Sequence, residues 1–134
     1  MGQMAEKTSQ LQTQPAPVKL VNLTPHEVVV YDASGNLVLK VPPSGRVARV
    51  ATKEERVGTI NGVPVYRTTY TEVEGLPEPE PGTVYIVSLL VLQALQARRV
   101  QRSDVVAPNT SPTPNGAVRD AQGRIVGVRS FVVL

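Results

Sequence analysis

From position 18 onward the chain alternates short apolar runs with clusters of Pro, Gly, Asn and Asp. VKLVNL reads as a strand. Thr24-Pro25 ends it, because proline lacks an amide donor and restricts the residue before it. HEVVVYD reads as a second strand ending at Asp32, and LVLKV as a third. The turn formers from Asp32 to Asn36 join them into a hairpin. Pro42-Pro43-Ser44-Gly45 reverses the chain. RVARVA alternates and is expected as an edge strand, and TKEER as a short charged connector. VGTI, Asn61-Gly62 and VPVYRTTY form a strand–turn–strand signature, since both central residues of a type I′ turn need positive φ. Pro64 makes the second of these an edge strand, or starts it.

EVEGLPEPEPG (72–82) is an acidic, proline-punctuated loop expected to be exposed and mobile. TVYIV follows as a buried strand. Ser88 then stands as N-cap of one helix, LLVLQALQARR, over about 88–99. DVVAP is a short strand and NTSPTPNG (109–116) a flexible loop. The chain closes with a strand, a turn at Ala121-Gln122-Gly123 and a second strand. Eight to ten short strands and one helix predict a β-rich α+β fold. The expectation is an antiparallel short-stranded sheet, or a partly closed barrel, with the helix packed on it. The alternative is an α/β layer with TVYIV central and the Ser88 helix crossing over. Residues 1–17 are Gln-, Thr-, Ser- and Pro-rich and read as a flexible or partner-bound arm on a single domain spanning 18–134.

Composition narrows the classes. Of 134 residues, 24 are valine, which is β-branched and suited to pleated surfaces. There is no Cys and one His, which excludes a disulfide framework, a Cys nucleophile, a Cys-based zinc site and a multi-His centre within one chain. A net charge of +3 permits an anionic partner without demanding one. Four Tyr, one Phe and no Trp leave few rings for base stacking, so nucleic-acid binding is disfavoured. The start of the chain has no apolar core of a secretory signal, and its longest apolar run falls well short of the roughly 20 residues of a membrane span. The expectation is a soluble protein of the host cytoplasm or a virion, with no cofactor and no metal.

Candidate chemistry is sparse. His26, beside Glu27 at a strand mouth, could act as a general base or be held by the turn backbone. Ser88 follows a strand and opens a helix, but lacks the flanking glycines of a nucleophile elbow. It is an N-cap that could also help hold an anion. Arg49, Arg102 with Asp104, and Arg119 with Asp120 would suit a phosphate or carboxylate if they converged, and are surface ion pairs if they do not. Asp120 is also a candidate turn cap.

VNLTPHEVVVYD, PPSGRVARV, INGVPVYRTTY, VEGLPEPEPGTVYIVSLLV, RSDVVAP and AVRDAQGRIVG occur in this order over about residues 20–130. Together they resemble a family of small uncharacterised proteins of tailed bacteriophages and prophages. The resemblance implies a phage-type accessory protein and places His26, Ser44, Arg49, Ser88, Arg102, Asp104, Arg119 and Asp120 within the family's motifs. The leading 17 residues and the longer NTSPTPNG loop depart from the pattern.

The first functional expectation is a non-enzymatic accessory protein that binds an anionic or nucleotide-like ligand, or a host protein. The candidate ligand-binding residues are His26, Arg49, Ser88, Arg102, Asp104, Arg119 and Asp120. The alternatives are a capsid-surface or decoration protein that assembles through its N-terminal arm, and a small His-dependent hydrolase. A homo-oligomer is expected, and contact with a membrane is not.

Overall fold

The computed structural model describes residues 18–133. Ten strands and one helix occur among them: β1 Lys19–Asn22, β2 Val28–Tyr31, β3 Leu37–Val41, β4 Thr52–Ile60, β5 Val63–Tyr70, β6 Thr83–Ile86, α1 Leu89–Ala97, β7 Val105–Pro108, β8 Ala117–Arg119, β9 Ile125–Val128 and β10 Phe131–Val132. The fold is β-rich α+β, and no sheet among the described residues closes into a barrel.

A central sheet has the order β1-β6-β7-β10, and a second sheet the order β3-β2-β9-β8. β6 explains the layering. Its residues and the next alternate without a polar break, so both of its faces are buried. Tyr85 and Val87 join Leu23, Val91, Leu92, Leu95, Val105 and Ala107 in a cluster under α1. Val84 and Ile86 join Val28, Val30, Val41, Val106 and Val128 in a cluster under the second sheet. The body is therefore helix, sheet, sheet, with the central sheet shared by both cores.

The expected antiparallel pairing holds for β2–β3, β4–β5, β8–β9 and β7–β10. It fails in the middle of the body, where β1 runs parallel to β6, β6 to β7 and β2 to β9. For β6 and β7 the cause is α1: a helix carries the chain from the end of β6 back to the start of β7, and such a crossover joins parallel strands. The alternative reading, with TVYIV central, describes this part of the molecule.

Three local expectations are corrected. RVARVA is not a strand; only Arg49 bridges, to Glu74. Ala48 is buried in the helix-side core, and its amide donates to the Leu23 carbonyl at 2.9 Å, which ties this stretch to the body. TKEER is not a connector but the first half of β4, whose nine residues are all exposed, so no burial pattern could mark it. The proline-rich loop is pinned rather than free: Tyr85 donates its hydroxyl to the Glu78 carbonyl at 3.2 Å, and Arg102 reaches the Pro77 carbonyl at 2.9 Å.

β4 and β5 form a ribbon on their own. It turns at Asn61 (φ 50°) and Gly62 (φ 82°), as the Asn-Gly signal requires. Its base is closed by Thr71, whose amide donates to the Ala51 carbonyl and whose hydroxyl accepts from the Ala51 amide. Arg98 at the end of α1 also donates to the Tyr70 carbonyl there. Among the described residues no other strand or helix makes more than slight contact with the ribbon. No helix among the described residues is long and apolar enough to cross a membrane. The arm expected at 1–17 lies outside the described residues.

Candidate functional site

The NLTPH segment is a buried hydrogen-bonded knot. Asn22, 1% exposed, donates from Nδ2 to the His26 carbonyl at 2.8 Å and to the Val41 carbonyl at 2.9 Å. Its Oδ1 accepts from the Thr24 amide and hydroxyl at 2.9 and 2.7 Å. The single Thr24 hydroxyl proton is shared between that Oδ1 and the His26 carbonyl, 2.9 Å away. A buried amide is tolerated only when so satisfied. His26 is thus positioned through its backbone, while its residue as a whole is exposed. Among the described residues no side chain hydrogen-bonds to its imidazole, so nothing orients the ring as a base.

Ser88 is the N-cap of α1, its Oγ accepting from the Val91 amide at 3.2 Å. It stands between two clefts. One, of about 590 Å³, is bordered by Arg49, Glu72, Glu74 and Leu90, so carboxylates share the helix start with the one arginine. The other, of about 350 Å³, is bordered by His26, Glu27, Leu89, Ile125, Val126 and Val128, among others. Leu89, Ile125 and Val126 are 37%, 45% and 42% exposed, which makes its mouth apolar.

The arginines do not converge. Arg102 and Asp104 are half-buried and paired with each other, Nε to Oδ1 at 2.8 Å and a second nitrogen to Oδ2 at 2.9 Å. This two-pronged bond holds the Asp104 carboxyl below the usual aspartate range, against the opposing effect of burial, and raises Arg102 in turn. Arg102 borders a third cleft, of about 680 Å³, with Arg99, Val100 and Val133. Arg119 donates to the Gly123 carbonyl across the β8–β9 turn. Asp120 caps that turn by accepting from the Gln122 and Arg124 amides at 2.9 and 3.0 Å, and these backbone bonds lower its pKa. Asp32 does the same at the β2–β3 turn, from Ser34 and Asn36. No group of His, Cys, Asp or Glu among the described residues could hold a metal ion.

The feature that sequence reasoning passed over is the ribbon's outer half. Residues 57–66, VGTINGVPVY, carry no charge, while Arg56 and Arg67 bracket them. Ile60, Val63, Tyr66 and Val57 are 64%, 61%, 51% and 46% exposed. Ile60 pairs with Val63, and Gly58 with Val65, so Ile60, Val63 and the half-buried Val65 share one face near the tip, while Tyr66, paired with Arg56, lies on the other. The missing charge was the available signal; exposure could not be read without the fold. No family model, curated protein or solved structure matches the chain.

Proposed function

We propose that the protein is a non-enzymatic assembly protein, a packed body that holds a projecting ribbon against a protein partner. The observation that carries this reading is the exposed, uncharged outer half of β4–β5. Apolar surface depleted of charge at its centre and rimmed by arginine is the composition of an interface core. A two-stranded ribbon with no sheet or helix laid along it among the described residues is marginal in water and gains most from a partner. The resemblance to tailed-phage proteins supports an accessory or virion setting for such a part. The dispersal of the candidate arginines, each engaged locally or beside carboxylates, speaks against a shared anion pocket, and the His26 ring, which no side chain among the described residues engages, against a hydrolase.

The test is the double variant Ile60→Lys, Val63→Lys in the full chain. Both positions are exposed, so the thermal transition should stay where it is. Association with whatever protein the wild type binds, in purified particles or host extract, should be lost. Unchanged association would overturn the reading.

A further inference from the structure

We propose that Asn61, at the tip of the ribbon, is a site of spontaneous covalent modification: the Gly62 nitrogen displaces the side-chain amide as ammonia, and water then leaves an aspartyl or isoaspartyl residue at position 61. This goes beyond the assembly reading and stands without it. The chain has five asparagines, of which two, Asn61 and Asn115, precede a glycine. The other three precede Leu23, Leu37 and Thr110, whose side chains crowd the attacking nitrogen. A glycine nitrogen is uncrowded, so both Asn-Gly pairs are competent by sequence. The fold separates them.

The chemistry balances with water as the one co-reactant. The Gly62 nitrogen, having given its proton to hydroxide, bonds to Cγ of Asn61. The Cγ–Nδ2 bond breaks, and that nitrogen takes a proton from water and leaves as ammonia. A five-membered imide remains. Water then opens it at one of two carbonyls. Opening at Cγ gives aspartate on an ordinary backbone. Opening at the main-chain carbonyl routes the backbone through Cβ and Cγ and gives isoaspartate. The sum is amide plus water to acid plus ammonia, with no change in oxidation state.

At the ribbon tip nothing holds the reacting groups. Asn61 and Gly62 are exposed, and a Cβ built on Gly62 meets no atom within 4 Å. The ribbon's side-chain hydrogen bonds join Arg56 to Thr59 or lie at its base. Among the described residues none reaches the Asn61 side chain, and the Gly62 amide donates to no backbone carbonyl. Ring closure requires Asn61 to leave its left-handed turn conformation at φ 50°, so the tip must open first. Every residue of β4 is exposed and β5 is its only paired neighbour, which puts this opening at the low end of local unfolding free energies.

The second pair is locked. The Gly116 amide donates to the Thr113 carbonyl at 2.9 Å, which engages the nitrogen that would attack. The Asn115 carbonyl accepts from Asn109 Nδ2 at 3.3 Å and from the Ser130 hydroxyl. Gly116 itself is buried against Ser111, and its carbonyl accepts from the Arg129 amide at 3.0 Å. Reaction at Asn115 has to break this set of bonds together.

The product alters the ribbon in two ways. Either acid places a carboxylate within 57–66, a stretch that carries no charge. Isoaspartate also lengthens the backbone between Ile60 and Val63, whose pairing depends on a two-residue turn.

The experiment ages the full chain in neutral and in mildly alkaline buffer, then maps it by trypsin digestion and mass spectrometry. Cleavage after Arg56 and Arg67 releases 57–67, in which Asn61 is the single asparagine, and cleavage after Arg102 and Arg119 releases 103–119, which contains Asn115. Asn61 should convert about tenfold faster than Asn115, or more, because its opening is local and cheap. Its peptide should split into aspartyl and isoaspartyl forms, at a rate that rises with pH. In unfolding denaturant the two rates should converge. Asn61→Gln, which would need a six-membered ring, should leave 57–67 intact and the thermal transition unchanged. Aged wild type should show faster amide exchange around the turn. Equal rates at Asn61 and Asn115 in the folded protein overturn the proposal. So does a difference that persists in denaturant, which would assign it to flanking sequence and not to the fold. Formation of aspartate alone, with no rise with pH, would mean direct hydrolysis and overturn it as well.

Discussion

β6 and β4 are both regular strands, yet they lie at opposite extremes of burial. All four residues of β6 are buried, and all nine of β4 are exposed. β6 is held from both faces, by α1 and by the second sheet; β4 is held by one neighbouring strand. The strand that fixes the fold carries no candidate chemistry, and the ribbon that contributes little to the core carries the most exposed apolar side chains. The buried core and the exposed apolar surface thus lie on separate parts of the chain, joined where Thr71, Ala51 and Arg98 close the ribbon's base.

The sharpest way to break this contrast is a pair of truncations. Leu23→Ala, at a fully buried position, should cost about 2–5 kcal/mol in denaturant unfolding. Ile60→Ala should stay within about 0.5 kcal/mol of wild type. Similar losses at the two sites would mean that the ribbon belongs to the core. Asn22→Ala comes next. It strands the Val41 carbonyl and should cost about 1–3 kcal/mol, read from the same unfolding curves.

Two glycines extend the comparison. A Cβ on Gly127 would lie 2.6 Å from the Tyr31 ring and 2.9 Å from the Val29 carbonyl, so Gly127→Ala should cost about 1–3 kcal/mol through overpacking. Gly62 has open space but a φ of +82°. Gly62→Ala should strain the turn by about 1–2 kcal/mol. That loss should appear as faster amide exchange across 52–70 with little change in the global transition.

The smallest effect is electrostatic. Asp104 has a lowered pKa in the folded protein, so the stability it contributes is present above its unfolded value of about 3.9 and is lost as pH falls through the folded value. Asp104→Asn should therefore flatten part of the acid-side decline in unfolding stability below about pH 4. The ribbon's Glu55–Arg67 pair, exposed on both sides, should show no measurable contribution when salt is raised. A steep salt dependence traced to that pair would show the ribbon to be more enclosed than its exposure indicates.

What the sequence made legible follows from where information resides. Turns were readable because Asn61-Gly62, Asp32 and Asp120 act on their own neighbours. The Ser88 cap was readable for the same reason, and TVYIV because burial on two faces leaves an unbroken apolar run. TKEER escaped, since a strand exposed on both faces has no period to detect. The role of Asn22 escaped because one of its acceptors, Val41, is 19 residues away. Of the candidate site, the sequence identified Arg102–Asp104 as neighbours but could not tell a mutual pair from a ligand clamp. The cleft was invisible because its walls come from β2, the start of α1 and β9, and no local rule links those segments.

Connectivity also sets an order in time. Pairing across Asn61-Gly62 is local, and hairpins of this kind close in roughly 1–10 μs. The cleft needs β9 beside β2, with Val30 opposite Val128, and a join between residues so distant in the chain is slow to find. The ribbon is therefore formed early and the cleft last, so a half-folded chain exposes the uncharged outer half of β4–β5 before the wall between β2 and β9 exists.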